Sequence, residues 1–261
     1  MSTAAKAIRF AWTSRRAWWF TATARTRDRF ARTTLGSFWL GLSNLLSIGV
    51  LAAVYGTVFK VKDFNTYVVY LGTGLVIWNT IAAAVQSGPT LFRSNAGNLK
   101  NTNIHPIFYT LEEWSFQTQT FLQSFGLVLL FLMIFQPSLP LHLLGAGLLP
   151  IVNLLLFIYW FPLLLCLLGA HFEDLFQLVP IVLQLMFLLS PILYKKEALG
   201  ALGWTADFNP LFRVLSNLRH ALIEGQIKLG EALLLLLLNI IGIWLSVWLL
   251  ERQRRHLPFL V

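Results

Sequence analysis

The sequence predicts an all-α integral membrane fold: six transmembrane helices, an N-terminal interface helix, and amphipathic helices between spans 5 and 6. Three observations predict it. The 261 residues are 57% hydrophobic and only 12% charged, against about 25% charged in ordinary soluble domains, and mean hydropathy is +0.68. Apolar stretches long enough to cross a bilayer recur six times. Four arginines (Arg25, Arg27, Arg29, Arg32) stand directly before the first of them, and cations beside a span are retained on the cytoplasmic side.

The elements follow in order. Residues 1–35 hold eight Lys/Arg and three tryptophans, Trp12, Trp18 and Trp19. At 100° per residue Ile8, Trp12, Trp19, Ala22 and Phe30 share a face, with Arg15 intruding. This predicts a helix lying in the cytoplasmic interface with basic partners for lipid headgroups; the alternative is a solvated basic tail. Span 1 is Gly36–Phe59, 24 residues and about 36 Å as a helix. Span 2 is about 67–86, with Gly88-Pro89 loosening its end. Residues 93–113 form a polar inner segment, and span 3 is about 115–135. Span 4 is about 143–170 with Pro150 and Pro162, and span 5 about 175–194 with Pro180 and Pro191. Residues 195–230 are an amphipathic outer segment, span 6 is 232–250, and residues 251–261 a cytoplasmic tail.

Six spans place both termini on one side. The inner segments hold 13 Lys/Arg and the outer ones seven, so the termini are expected to be cytoplasmic, in a plasma or inner membrane. The first apolar run follows a long basic segment without a small-residue cleavage pattern, so no signal peptide is expected. The net charge of +9 lies mostly beside spans, which points to anionic lipid and topology rather than nucleic acid. The lone Cys166 lies inside an apolar run.

All eleven Asp/Glu, and every Lys and Arg, fall outside these spans. A proton-coupled carrier needs a mid-membrane ionisable group, so that class is disfavoured. The five histidines show no metal-ligand spacing. Neither a phosphate-cradling G-x-x-x-x-G-K-[ST] loop nor a Gly-x-Ser-x-Gly elbow occurs. Any energy for work must come from a partner, and no catalytic residue or metal site is assigned.

Two segments can carry function. In the inner segment, Leu99, Ile104, Ile107 and Phe108 alternate with polar residues, which suits a short amphipathic helix docking on another protein or a solvated loop. In the outer segment, Asn209-Pro210 is a helix start. Leu211, Val214, Leu215, Leu218, Ala221 and Leu222 then form one apolar face, off which Arg213, Asn217, His220 and Glu224 lie. With Trp204 and Phe208 before it, this helix either packs at the outer leaflet or forms a lid. Aromatics inside spans, among them Phe38, Trp39, Tyr55, Phe59, Phe187 and Tyr194, are read as interface belts or as the lining of a sugar path. Asn44, Asn79, Gln123, Asn153, Gln184 and Asn239 are read as interhelical hydrogen-bonding groups.

Several short motifs carry a resemblance: Arg29-Phe-Ala-Arg32-Thr-Thr-Leu35-Gly36-Ser-Phe-Trp39-Leu before span 1, Gly74-Leu-Val-Ile-Trp78-Asn79-Thr-Ile in span 2, Phe187-Leu-Leu-Ser190-Pro191-Ile192, and Asn209-Pro210-Leu211. In this order the chain resembles the permeases of type 2 ABC exporters, in particular those for lipid-linked O-antigen, capsule or teichoic-acid polysaccharide. It departs from that pattern at Ser37 and at His171-Phe172-Glu173-Asp174.

The resemblance implies a homodimer, with two separate ATPase subunits holding ATP and magnesium and no cofactor on this chain. It implies a coupling helix at Leu99, Lys100, Asn101, Thr102, Asn103, Ile104, His105 and Pro106. Spans 1 and 5 would line the channel, with Phe38, Trp39, Tyr55, Phe59, Phe187 and Tyr194. The outer gate would be Trp204, Phe208, Asn209, Pro210 and Phe212. Alternatives are an exporter for a drug or other small hydrophobic molecule, a membrane enzyme acting on lipids, and a non-transporting scaffold.

Overall fold

The computed structural model describes residues 3–102 and 104–260, with the side chains of residues 3–6 and of Ile8 outside that description. The described residues fold into helices only. Four helical units are long and apolar enough to cross a membrane: α3 (Phe38–Val58), α4 (Phe64–Ser87), α8–α9 (Leu139–His142 and Leu148–Gly169, joined by a π-helical turn), and α13 (Leu229–Gln253).

α4 is the centre of the bundle, enclosed on most sides by α3, α7 (Ile107–Leu132), α9, α10 (Leu175–Leu189) and α12 (Pro210–Glu224). Its start is fixed by Asp63, which accepts from the Thr66 backbone N–H at 3.2 Å, an N-cap that satisfies an otherwise orphan donor. α13 packs on the far side of α9. There Asn239 Nδ2 donates to the Asn153 carbonyl at 3.1 Å, and Trp160 Nε1 donates to Asn239 Oδ1 at 2.8 Å. Asn44 Nδ2 reaches Ser124 Oγ at 2.7 Å, and Asn79 reaches Asn44 Oδ1 at 2.7 Å. Four of the six expected polar groups therefore bridge helices. Gln123 and Gln184 are exposed instead.

Three elements differ from the sequence reading. The N-terminal segment is two helices, α1 (Thr3–Thr13) and α2 (Arg15–Phe30). The Thr13 and Ser14 hydroxyls both bond the Phe10 carbonyl, at 3.0 and 2.7 Å, and such back-bonding competes with the helix ladder. Of the expected common face, Ala22 is buried, while Trp12 is 70% and Trp19 41% exposed.

α7 reaches back to Ile107, so Glu112 and Glu113 lie inside this helix rather than in a polar loop. They are buried because Arg25 of α2 crosses to them, 2.6 Å from Glu113 Oε2 and 3.6 Å from Glu112 Oε1.

α10 ends at Leu189, after 15 residues, about 22 Å at 1.5 Å per residue. Pro191 excludes helical geometry at the preceding residue, and Ser190 is extended (φ −91°, ψ 132°).

The ends of the bundle differ. At the end carrying both termini, Ala7, Leu99, Leu163, Leu250 and Leu257 share one apolar cluster, which includes α14 (Leu257–Leu260). The opposite end holds a cleft of about 980 Å³.

Candidate functional site

The inner segment is built from two short helices, α5 (Leu91–Ser94) and α6 (Ala96–Asn101), with an extended Thr102 ending α6. Asn95 ends α5 by donating Nδ2 to the Leu91 carbonyl at 2.9 Å. Leu99 is buried in the terminal cluster, and Lys100, Asn101 and Thr102 face outward, as does Ile104. His105 and Pro106 are buried; Asn103 lies outside the described residues. The segment thus has a buried side at Leu99, His105 and Pro106 and an exposed side at Lys100, Asn101 and Thr102, with Ile104, apolar in the alternation, on the exposed side.

His105 anchors it. The Ile107 N–H donates to His105 Nδ1 at 3.2 Å, which leaves the ring proton on Nε2. That atom stands 2.8 Å from Glu251 Oε1 at the end of α13, although neither atom meets hydrogen-bond direction. Phe10 of α1 stacks on the same ring at 5.4 Å. Burial, and secondarily the Arg254 charge, push the His105 pKa down to about 4, so the imidazole is neutral at pH 7. On its other side the segment reaches the turn before α10, where Arg93 Nη1 meets Glu173 Oε1 at 2.9 Å.

The six aromatics do not form one stripe. Phe38 and Trp39 are exposed at the first turn of α3, while Tyr55 and Phe59 stack on each other at its last turn, 5.5 Å between centroids. Phe187 packs on Trp78 of α4 at 5.7 Å. Phe59 and Tyr194 come together in the lining of the cleft at the far end.

Beside them runs a feature the aromatic reading missed. α3 and α10 each pack on α4, and Ser43 and Ser47 of α3, Asn79 of α4, and Gln177 and Gln184 of α10 are exposed among exposed apolar side chains. Exposed amides such as Gln177 and Gln184 are costly against lipid tails. The signal in sequence was the amides themselves; their orientation could be read only once the neighbours of α4 were known.

In the outer segment, Asn209 caps α12, with Oδ1 accepting from the Leu211 and Phe212 N–H groups at 3.0 and 3.3 Å. Its Nδ2 donates to Ser190 Oγ at 2.9 Å, so the cap also ties α12 to the end of α10. All six residues of the expected apolar face are buried, and so is Asn217, which the helical-face reading placed off it. Phe212 is buried and Pro210 exposed at the first turn. Trp204 and Phe208 of α11 (Gly203–Phe208) are 59% and 80% exposed.

The sequence reading singled out nothing at Arg219. The structure buries it to 6% exposure on α12, where its guanidinium lies over the Tyr70 ring at 3.9 Å and donates to the Pro191 carbonyl at 3.0 Å. Gly74 of α4 makes room for it: a Cβ there would stand 3.2 Å from Nη1.

Residues 20–223 match the ABC-2 type transporter family. Two curated relatives from Klebsiella pneumoniae, each described as "O-antigen export system permease protein RfbA", are similar to this chain. They are 24% identical over 201 residues and 25% identical over 203, and each match covers 77% of this chain and 77% of the relative.

Proposed function

Since the chain belongs to the ABC-2 type transporter family, we propose that it is the permease subunit of an ATP-driven exporter moving a lipid-linked, O-antigen-like polysaccharide across the bacterial inner membrane. The observation that carries this reading is the exposure of polar groups on three apolar helices, Ser43 and Ser47 of α3, Asn79 of α4 and Gln184 of α10, where α3 and α10 both pack on α4. Two copies facing each other along these helices enclose a path lined by hydroxyls, amides and aromatic rings. Those groups hydrogen-bond sugar hydroxyls and stack on sugar rings. The two Klebsiella relatives, permeases of O-antigen export by their description, supply the substrate class.

In this reading the chain crosses the membrane six times, with α7 and α10 as the third and fifth passes, and both termini are cytoplasmic. α1 and α2 lie along the cytoplasmic interface. A separate ATPase subunit, binding ATP and magnesium, seats on the free face of α6 at Lys100, Asn101, Thr102 and Ile104; Leu99, His105 and Pro106 fix that face to the bundle, and Asn103 belongs to the same surface. Trp204, Phe208, Asn209, Pro210 and Phe212 form the outer gate. Phe38, Trp39, Tyr55, Phe59, Phe187 and Tyr194 serve as aromatic stations along the path.

The lever follows from the contacts. The segment continues into α7, which packs on α3, and it touches the turn before α10 through Arg93 and Glu173. Displacing it biases α3 and α10 together, a two-state element set by the nucleotide on the partner. Lys100→Pro and Thr102→Pro are expected to abolish glycan export while membrane insertion survives. Normal export by both variants contradicts the lever.

A further inference from the structure

We propose that the cleft at the end of the bundle opposite the termini is a binding site for a sugar bearing a phosphate or carboxylate, with Arg219 as its cation. The proposal rests on the glycan-exporter reading and names a chemical feature of the cargo.

Arg219 is buried, yet among the described residues it has no carboxylate within ion-pair distance. Among the described residues its guanidinium donates to the Pro191 carbonyl and lies against Tyr70, which leaves most of the five donors a guanidinium offers without an acceptor. A buried charge is ordinarily paired, and this one lines the cleft.

The other formal charges around the cleft balance, with Lys62, Lys195, Lys196, Arg213 and Lys228 against Asp63, Glu197, Asp207, Glu224 and Glu231, so the net positive charge of the lining is that of Arg219. Lys196 is paired with Asp207, and Glu224 with His220. Asp63 is engaged by Thr66, and Arg213 Nε donates to the Asp207 carbonyl. Lys62, Lys195 and Lys228 line the rim without an ion pair among the described residues, against Glu197 and Glu231.

Size and walls select the rest of the ligand. About 980 Å³ is far more than a bare anion fills and matches the usual range of small-molecule sites. Tyr67 and Tyr70 spend their hydroxyls on the Leu193 and Pro191 carbonyls, both at 2.8 Å. The Tyr70 ring is covered by Arg219, while Tyr67, Tyr194 and Phe59 supply apolar wall suited to the face of a sugar ring. Glu197 and Glu231 can accept from sugar hydroxyls.

The test is saturation-transfer NMR on the full chain in phosphatidylcholine nanodiscs, with glucose 1-phosphate, glucuronate and glucose as probes. Signals are expected for the two anionic sugars and not for glucose. Arg219→Gln is expected to weaken binding about tenfold, the scale of losing a charge-assisted hydrogen bond, while Arg219→Lys retains part of it. Should Arg219→Gln fail to fold, the exposed triple variant Lys62→Ala/Lys195→Ala/Lys228→Ala must also weaken the signal. Equal signals for glucose, or no change in any variant, overturn the proposal. Loss of the sugar signal on adding phosphatidylglycerol assigns the cation to a lipid headgroup and overturns it equally. No ATPase subunit enters this measurement, so its failure is separate from failure of the exporter reading.

Discussion

Arg93 Nη1 lies 2.9 Å from Glu173 Oε1, and this contact ties the segment after α4 to the turn before α10. The Arg93 guanidinium also sits over the Phe176 ring, 5.3 Å from its centre. Both charged side chains are more than half exposed, so the pair contributes at most about 1 kcal/mol to stability. Its value is as a tether. Arg93→Glu is expected to reduce export while the unfolding midpoint in detergent hardly moves, and the swap Arg93→Glu/Glu173→Arg to restore it. Full export by the single variant contradicts the tether.

Arg25 is the counterpart at α7. It is the partner of both Glu113 and Glu112, whose side chains are 7% and 11% exposed, and Gln117 Nε2 adds a bond to Glu113 at 2.8 Å. Removing one partner of a buried pair leaves a stranded charge, at about 3–5 kcal/mol. Arg25 is itself 47% exposed, which brings the expectation for Arg25→Ala to about 2 kcal/mol. Adding Glu113→Gln should recover part of the loss, as read from unfolding in detergent. A neutral Arg25→Ala removes the clamp from the account.

The α9–α13 seam gives a steric prediction. A Cβ at Gly242 would come within 2.4 Å of the Trp160 ring, whose Nε1 is held by Asn239. Gly242→Ala is expected to destabilise by about 1–3 kcal/mol through overpacking. Combining it with Trp160→Phe should relieve part of that cost, and strict additivity of the two would place the clash elsewhere.

His105 makes the anchor of the inner segment pH-dependent. Burial, then Arg254, depress its pKa from 6.5 to about 4 in the folded chain, so the unfolded chain binds more protons between those values. The contribution is complete above about pH 6.5 and is lost as pH falls through about 4. Thermal midpoints in detergent should drop across that window, less steeply for His105→Gln than for the parent. Identical slopes would mean that His105 is not the titrating group.

The spans were legible where hydropathy alone decides, as in α3 and α13, whose ends fall within three residues of the apolar runs. Two boundaries were not, for opposite reasons. Hydropathy carried span 5 through Pro191, yet the proline's restriction on Ser190 stops α10 earlier, a signal present in the sequence and outweighed there. Hydropathy began span 3 after Glu113, yet α7 starts at Ile107 because a cation 88 positions away covers the two glutamates. Long-range pairing of that kind has no local signature. Arg219 was hidden likewise: it flanks the apolar face of α12, and only Tyr70 and Gly74 of α4 turn that flank into a buried site. The polar residues of the spans were read correctly as interhelical groups at Asn44, Asn79, Asn153 and Asn239, but which of them pair depends on helix order.

The central claim is that a separate ATPase drives this permease through the inner segment. The most direct measurement is affinity purification of the detergent-solubilised chain from its native membrane, followed by ATPase assay of the co-purifying material. The account predicts a nucleotide-binding subunit with ATPase activity, lost when Lys100, Asn101, Thr102 and Ile104 are replaced and the chain still inserts. A pure, correctly inserted chain without an ATPase partner would contradict it.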